Sequence, residues 1–446
     1  MMPVYYVLVY MAIAYYFILY SIHLLHLAVG YRATLRWKKL GYIEEAHRLS
    51  RSGMVPPLTL VADIDSTGED TMHWIDRNLS QRYPEMEVLV IFRRDGDERA
   101  ERIIHTFFLR RVDRVYRRVL EAPHAIEVYQ SDDHRLTLVR TDGAPGGDSL
   151  NLALNLARYP IFGVADRAAL LEEDALLCMV RPFMEGEVSA PAVMGVELPS
   201  DMEGEGVLPP RRITRFALMD SLRIQLGFLA GAPYLGGPAT AYGSLTLYRK
   251  SDLMEAGGFQ AGLSRVEAEM EMTLRLQRIM HEQDRLYRFA YIPQVVVRRD
   301  FPRSLGECME ESRQRQAGIS MALRSGRGTF FKASYGRLGT LQMPSFWLFV
   351  KLAPLIGFVA FTLSIIFFAA GKVGWPLFAV FLASSMLYPA LVGVGAVAVA
   401  RRGLGILKGQ GAALFGYAFL TQFWYRQLIG LAPLFSPAPR RPQEVE

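Results

Sequence analysis

The sequence predicts an α/β domain with a mostly parallel sheet and helices on both faces, joined to transmembrane helices at both ends. Apolar residues make up 51% of the 446 positions and concentrate in the segments 4–29 and 345–435. The middle of the chain instead alternates short apolar runs with amphipathic stretches, as strands and helices do in a parallel sheet. A chain of this length exceeds one ordinary core, so at least two structural regions are expected.

The first apolar segment predicts a membrane anchor. Residues 4–30 contain no Asp, Glu, Lys or Arg, and a helix needs about 20 apolar residues to cross a bilayer. A cleaved signal peptide is the alternative. It would need a basic start and a small-residue cleavage site, and neither is present. We therefore expect an uncleaved anchor.

The carboxy-terminal apolar region predicts two or three further spans. The segments 346–370 and 376–400 are long and apolar enough to cross. A later segment, 411–435, is interrupted by Arg426 and Gln427. It could cross the bilayer or lie in the interface.

Basic residues flank the middle region on both sides, at Arg32, Arg36, Lys38, Lys39, Arg48, Arg51, Arg324, Arg327, Lys332 and Arg337. Because loops rich in Lys and Arg stay in the cytosol, a multi-pass protein of the inner (cytoplasmic) membrane is expected, with its middle domain facing the cytosol. The expected division is anchor, basic linker, α/β domain, interfacial segment, membrane helices and tail, at 1–30, 31–53, 54–330, 331–344, 345–435 and 436–446.

Strands and helices are expected to alternate through the middle region. The strand candidates are 58–64, 87–92, 136–140, 161–166, 191–198, 240–249 and 289–297. The helix candidates are 70–81, 98–120, 148–158, 174–185, 213–229 and 267–282. Ligands on such sheets bind beyond the carboxyl ends of the strands, so the loops after the first, second and fourth strands are expected to carry the chemistry.

The net charge of +6 does not by itself indicate a nucleic-acid partner. The basic residues mostly flank membrane segments, and no aromatic-and-basic RNA-binding pattern accompanies them. Nine arginines fall in 93–118, where apolar residues recur at helical spacing. This stretch predicts an amphipathic helix whose basic face is solvated or meets anionic headgroups or an acidic partner. The two cysteines, Cys178 and Cys308, lack metal-type spacing.

Seven stretches together resemble the membrane-bound family-2 glycosyltransferases, the group of cellulose- and poly-N-acetylglucosamine-synthase-like proteins. The resemblance runs along nearly the whole chain and implies a glycosyltransferase-A-like (GT-A-like) fold. The stretches are "LSQRYPEMEVLVI" (79–91), "GGDSLNLALNLAR" (146–158), "LLEEDALLCMVRPFME" (170–185), "LYRKSDLMEAGGF" (247–259), "EMEMTLRLQR" (269–278), "YRFAYIP" (287–293) and "FWYRQL" (423–428).

The resemblance also implies an active site built from four motifs, and this sequence departs from all four. The family has a lysine before an Asp-Ala-Leu-Asn helix, an Asp-x-Asp pair for a divalent metal, a Glu-Asp pair that supplies the base, and a closing Gln-x-x-Arg-Trp motif. Here the lysine position is Gly146, and the metal pair reads Asp-Arg-Ala at 166–168. The base pair reads Ala268-Glu269, and the closing motif reads Glu-Ser-Arg-Gln-Arg at 311–315.

Asp166 is the remaining candidate metal ligand, and Arg167 is placed beside the donor diphosphate. Mg²⁺ commonly takes one or two carboxylates plus substrate phosphates, so losing the second aspartate weakens the site. Arg167 could neutralise the leaving diphosphate without a metal, or it could be solvated or pair with Glu173. Mg²⁺ or Mn²⁺ is therefore expected only if the domain is active.

Glu269 is the candidate general base. It is one methylene longer than the family's aspartate, and a misplacement near 1 Å can cost on the order of a hundredfold in rate. The alternative is a solvated acidic helix start, because Glu267 and Glu271 flank it at alternate positions.

Four aspartates are candidate donor contacts. Asp63 and Asp65 follow the first strand, Asp95 follows the second, and Asp148 belongs to the retained helix motif. Strand-end acids of the family hold the uracil or ribose of a donor. Ordinary turn chemistry is the alternative for the first three.

Glu311, Gln314 and Arg315 are the candidate acceptor-side residues, because they occupy the closing motif. An arginine in place of the family's tryptophan could stack on a sugar or a base, or it could lie on an amphipathic interfacial helix.

Two functions of different class follow from the resemblance. In the first, the chain keeps the fold but not the chemistry, and serves cell-envelope or exopolysaccharide assembly beside an intact glycan synthase or export partner. In the second, it is an active inverting glycosyltransferase that uses a nucleotide-sugar and passes the sugar to a glycan or lipid. Both place the protein in a lipid bilayer. The loss of four charged motifs favours the first, because this chemistry depends on placed charges.

Overall fold

The computed structural model describes residues 3–39, 48, 50–51, 53–64, 71–93, 98–144, 146–166, 169–185, 188–202, 207–236, 243–407, 409 and 411–432. Its strands are β1 Leu58–Ile64, β2 Met86–Arg93, β3 Arg110–Arg111, β4 Ala125–Gln130, β5 Leu136–Thr141, β6 Ile161–Ala165, β7 Leu170–Leu171, β8 Ala192–Pro199, β9 Leu245–Arg249 and β10 Ala290–Arg299.

The α-helices of the amino-terminal and middle regions are α1 Val4–Lys39, α2 Thr71–Leu79, α3 Glu98–Thr106, α4 Gly147–Leu156, α5 Ala175–Val180, α6 Arg212–Ile224, α7 Lys250–Glu255, α8 Arg265–Glu282 and α9 Leu305–Ser325. Those of the carboxy-terminal region are α10 Met343–Phe346, α11 Ala353–Ala369, α12 Trp375–Leu382, α13 Tyr388–Val399, α14 Gly411–Leu420 and α15 Arg426–Leu431.

Short π- and 3-10-helical segments extend several of these helices. The π segments are Gln225–Leu229, Leu338–Gln342, Trp347–Lys351, Ala383–Leu387, Ala400–Leu404 and Thr421–Tyr425. The 3-10 segments are Arg181–Phe183, Ala232–Tyr234, Gly326–Thr329 and Ala333–Tyr335.

The described strands form one mixed sheet in the order β3-β4-β5-β2-β1-β6-β9-β8-β10-β7. Its centre, from β5 through β2 and β1 to β6, is parallel, and β10 is parallel to β8. Strand β9 is inserted antiparallel between β6 and β8. Most described strands therefore point the same way, as the sequence predicts, and their carboxyl ends meet at one edge.

Helices cover both faces of the sheet, because its central strands are apolar on both faces. In β1, Leu58 and Leu60 enter one buried cluster and Val61 enters the other. In β2, Val88 enters the first of these clusters and Leu89 enters the second. The prediction of an α/β domain with helices on both faces is therefore confirmed.

The prediction of a helix over 98–120 is correct for its first part and wrong after Thr106. Helix α3 ends at Thr106, and Phe108 takes a positive φ of 51°, which an α-helix cannot contain. The chain then turns into the short edge strand β3, where Arg110 pairs with Gln130. The arginines of 93–118 consequently do not form one amphipathic helical face.

Two other predicted elements are shorter than expected. The predicted helix 174–185 contains only α5, because Pro182 lacks an N–H and the chain tightens into a 3-10 turn. The predicted strand 240–249 begins at Leu245 in the structure, and its residues 240–242 lie outside the described part.

Two described helices are long and apolar enough to cross a membrane, Val4–Lys39 and Trp375–Leu404. A third candidate is a pair, Leu338–Lys351 and Ala353–Ala369, bent by 52°. The interrupted segment that begins at Gly411 is not among these candidates within the described residues. Its Arg426 lies beside Asp220 of α6, with 3.7 Å between Nε and Oδ1.

Candidate functional site

Asp166 lies at the carboxyl edge of the central strands, directly after β6. Its backbone N–H donates to the carbonyl of Ser244, 2.7 Å away, just before β9. The antiparallel insertion of β9 thereby fixes the backbone of Asp166. Its side chain is about one third exposed, at 35%.

Helix α8 begins beside this strand end and brings in a second charge. Ser264 caps the helix, and Glu267 completes a capping box, so the first turn is rigid. The first helical residue, Arg265, donates from Nη2 to Oδ2 of Asp166 over 2.8 Å. Its Nη1 donates to Oε1 of Glu269 over 2.6 Å and to the carbonyl of Gly243 over 2.9 Å.

Glu269 is fully buried, so the interpretation of this residue as a solvated helix carboxylate is wrong. Its second oxygen accepts a hydrogen bond from the Tyr248 hydroxyl at 3.2 Å. Burial raises the pKa of Glu269, although Arg265 acts in the opposite direction. Burial alone would lower the pKa of Arg265, but the carboxylates of Glu269 and Asp166 outweigh it and hold that pKa above its usual range.

The two glutamates that flank Glu269 have structural partners. Glu267 belongs to the capping box of α8. Glu271 is buried and accepts from Arg275, one turn further along the helix, and from Ser325. Of the three glutamates, only Glu269 is joined through Arg265 to Asp166. The strand-end cluster consists of Asp166, Arg265 and Glu269.

The described residues do not fit a divalent metal at Asp166. Oδ2 of Asp166 is held by Arg265, and no group of three His, Cys, Asp or Glu side chains in the described part of the chain could hold an ion. Mg²⁺ usually takes one or two protein carboxylates together with substrate phosphates and water, and the candidate carboxylate, Asp166, is already engaged by Arg265.

Gly146, at the position where the resemblance implies a lysine, is held in a backbone conformation that lysine does not readily adopt. Its φ is +89°, and a Cβ added there would lie 2.1 Å from the carbonyl oxygen of Leu263. The loop before α8 therefore covers the amino terminus of α4. Asp148 accepts a hydrogen bond from the Gly262 N–H at 2.7 Å, and Asn151 accepts from the Phe259 N–H.

The other donor candidates are described only in part. Asp63 belongs to β1, and its backbone pairs with Ile91. Asp65, Asp95 and Arg167 lie outside the described residues. Glu173, the alternative partner of Arg167, pairs with Arg82 at 2.9 Å.

The closing-motif residues lie on one regular helix, α9. Glu311 accepts from Arg299 at 2.8 Å, and Arg315 lies 3.7 Å from the same carboxylate. Gln314 is exposed and donates to Glu310 instead. Glu311 and Arg315 line a cavity of about 30 Å³, which has room for about two water molecules.

Sequence reasoning missed three residues of this region, Arg265, Glu197 and Arg299. Glu197 accepts from Ser244 Oγ at 3.0 Å and from Arg299 at 3.1 Å, and so links the strand-end cluster to α9. A sequence signal existed for two of them. Arg265 and Glu269 stand four positions apart on a helix, and Glu197 is the one acid in the apolar strand "AVMGVELP".

Neither a protein-family model nor a curated protein sequence matches the chain. Among solved structures, a mannosyltransferase from Pyrobaculum calidifontis in complex with GDP-Man and Mn²⁺ aligns over 92% of this chain and 99% of its own. Its TM-score is 0.50 and its sequence identity 18%. This likeness shows that the chain has a GT-A glycosyltransferase fold, as the resemblance implies.

Two further similar structures have lower scores. Glucosyl-3-phosphoglycerate synthase from Mycobacterium tuberculosis, with Mn²⁺, UDP and phosphoglyceric acid, aligns over 63% of this chain and 82% of its own, at 14% identity and TM-score 0.38. Mannosyl-3-phosphoglycerate synthase from Rubrobacter xylanophilus covers 68% and 84%, at 14% identity and TM-score 0.38.

Proposed function

We propose that this chain is a membrane protein of the GT-A glycosyltransferase fold that has lost ordinary metal-dependent sugar transfer and acts as a partner of an intact glycan synthase. One observation carries the proposal. Arg265 bridges Asp166 and Glu269, the two acidic residues that remain from the family's metal and base motifs. Each carboxylate is engaged by the arginine rather than directed at a ligand.

The position of Glu269 supports the loss of general-base catalysis. A base must come within hydrogen-bond reach of the acceptor proton. Glu269 has no exposed surface, and its oxygens already accept from Arg265 and Tyr248. An acceptor hydroxyl could reach it only if this cluster opened.

The charge balance supports the same conclusion. A nucleoside diphosphate brings at least two negative charges, and its recognition relies on cations that are free to pair with it. Arg265, which contacts Asp166, is already shared between two carboxylates. Arg299, at the same edge, is shared between Glu197 and Glu311.

The proposed setting is the inner (cytoplasmic) membrane, with several spans and the sheet domain in the cytosol, in assembly of the cell envelope or an exopolysaccharide. The basic residues on both sides of the domain support this orientation. A domain without transfer activity can still position a synthase or guide its product toward export. Its partner would be an intact synthase in the same bilayer.

Calorimetric titration of the purified full chain with UDP- and GDP-sugars, with and without Mg²⁺ or Mn²⁺, tests the proposal. We expect no binding that depends on the metal. Metal-dependent binding in the micromolar range, abolished in Asp166→Asn, would overturn it.

Complementation of a deletion strain provides the second arm of the test. If the chain is a scaffold, Asp166→Asn should restore glycan export as well as the native chain does, at equal protein level in the membrane. The matched control is Asp132→Asn, at an exposed acid far from the strand-end cluster. Loss of export with Asp166→Asn but not with the control would show that transfer chemistry is needed.

A metal-independent inverting transferase is the second candidate, favoured by the guanidinium of Arg265 beside Asp166. In that reaction Glu269 would take the acceptor proton, the acceptor oxygen would bond to the anomeric carbon, and the bond to the departing diphosphate would break as Arg265 balanced its charge. Nucleotide-sugar binding that persists in EDTA and falls at least tenfold in Arg265→Gln would favour this candidate.

A further inference from the structure

A groove of about 540 Å³ lies at the opposite end of helix α8 from Arg265. Its walls include Tyr287 and Arg288, just before β10, and Tyr335 and Arg337, which follow α9. Helix α8 has 18 residues, so the groove is about 27 Å from the strand-end cluster along the helix axis. It is a separate surface of the molecule.

Both walls of the groove connect directly to membrane-crossing elements. One wall contains Pro233 and Gly236, and the nearby Gly231 packs so closely on α1 that an added Cβ would lie 2.1 Å from the His26 carbonyl. The other wall ends in Gln342, inside the segment Leu338–Lys351 that leads into the bent apolar pair. The Gln342 side chain donates to the Gly236 carbonyl and ties the walls together.

Exposed apolar side chains beside the groove indicate that it lies at the level of the bilayer surface. Leu341 is 60% exposed, and Trp347, at the start of the apolar pair, is 45% exposed. On the near side, Tyr234 is 55% exposed. Tryptophan and tyrosine concentrate where a membrane meets water, and a lipid surface would cover these side chains.

The groove is positively charged. None of the described residues that line it is Asp or Glu, and neither Arg288 nor Arg337 forms an ion pair with any acid that the structure describes. The Arg288 guanidinium instead lies over the Tyr234 ring, 5.7 Å from its centre. The Tyr335 hydroxyl in the wall already donates to Glu282 at 2.8 Å, so the two exposed guanidinium groups are the donors that the groove offers to a phosphodiester.

We propose that this groove binds the headgroup of an anionic phospholipid, with Arg288 and Arg337 on the phosphate and the acyl chains beside Leu341 and Trp347. Basic pockets where transmembrane helices leave the bilayer bind such headgroups. The proposal rests on the membrane insertion proposed above, but not on the chemical state of the strand-end cluster. A phospholipid at this position bridges the turn that packs on α1, at Pro233 and Gly236, and the bent pair, and so fixes the domain against the membrane.

Native mass spectrometry of the full chain in detergent tests this site with phosphatidylglycerol as the probe. The variant Arg288→Gln/Arg337→Gln is compared with Arg82→Gln/Arg110→Gln, which removes two exposed arginines elsewhere. Each basic residue near a surface contributes about fivefold to anionic-lipid affinity, so the groove variant should bind roughly 30-fold more weakly. The control should stay within about twofold of the native chain, since its arginines lie outside the groove.

Three results would overturn the proposal. The first is unchanged phosphatidylglycerol binding in the groove variant. An unfolding temperature in phosphatidylcholine equal to that of the native chain shows that the variant is folded in this comparison. The second is equal affinity of the native chain for phosphatidylcholine. The third is displacement of the lipid by a soluble anionic oligosaccharide, which would make the occupant a glycan. The conservative variant Arg288→Lys/Arg337→Lys should keep most of the binding, because it keeps both charges.

Discussion

Arg265 determines the character of the strand-end cluster at the scale of single residues. Its one guanidinium donates to the fully buried Glu269, to Asp166, whose side chain is about one third exposed, and to the Gly243 carbonyl. A buried carboxylate without a partner is very costly. The arginine therefore stabilises the fold as long as Glu269 is present, whether or not the domain transfers a sugar.

The variant Arg265→Met is expected to lower the free energy of unfolding by about 3 kcal/mol, because removal of one partner leaves a buried charge uncompensated. Chemical unfolding of the full chain in detergent measures this loss. The double variant Arg265→Met/Glu269→Gln should recover most of it, since no buried charge remains. If the double variant is as unstable as the single one, the ion pair is not the source.

The control for this experiment is the surface pair of Arg82 and Glu173, whose side chains are 63% and 69% exposed. Exposed pairs contribute about 0–1 kcal/mol, so Arg82→Met should have little effect. Sequence alone could not reveal the contact of Arg265 with Asp166, because these residues are 99 positions apart and meet only through the packing of α8 on the sheet edge.

At the scale of elements, the loop before α8 closes over the start of α4. A Cβ added at Gly146 would lie 2.1 Å from the carbonyl oxygen of Leu263. A Cβ added at Gly147 would lie 2.0 Å from the carbonyl oxygen of Gln260. Side chains at these positions would force the loop away. The glycine at the position where the resemblance implies a lysine is thus part of the packing of two elements.

Restoring the lysine with Gly146→Lys is expected to destabilise the domain by about 2–4 kcal/mol, through backbone strain and collision with Leu263 together. Gly257→Lys is the matched control. Its φ is also positive, at +80°, but nothing lies within 4 Å of an added Cβ. The control should lose only the strain, about 1–2 kcal/mol. Equal losses in thermal unfolding would contradict the packing argument.

The elements that sequence patterns predict well are those whose pattern is set by burial. Strand β1 has its predicted bounds, and β2 differs by one residue at each end, because their apolar runs are covered on both faces. The helix predicted over 98–120 fails because apolar spacing continues past Phe108, although the backbone there turns left-handed to form an edge strand. The spacing of apolar residues along the sequence gives no sign of such a change in the direction of the backbone.

At the scale of the whole molecule, helix α1 and the sheet domain are packed together. Helix α1 contacts the π segment Gln225–Leu229 and the turn after it, where Gly30 lies against Ala230 and Gly231 against His26. At its end, Trp37 packs on the core of the sheet. Composition predicts the anchor, but not this contact, because the small residues that permit it are unremarkable in sequence.

Gly231→Ala is expected to loosen this junction and lower the free energy of unfolding by about 1–3 kcal/mol, because its methyl group would overlap the His26 carbonyl. Gly416→Ala, on α14 with open space around it, is the control. It should be neutral or stabilising by up to about 1 kcal/mol. Thermal unfolding in detergent compares the two, and a similar loss in both would show that close approach is not the cause.

Helix α1 is uninterrupted over 36 residues and ends on the sheet domain, which makes it a rod about 54 Å long. A helix that is long for its bilayer tilts to match the hydrocarbon thickness. Because α1 has no break between its apolar part and the sheet domain, any such tilt of the helix would rotate the entire domain through the same angle. Lipid chain length would then set how far the strand edge with Asp166 stands from the membrane.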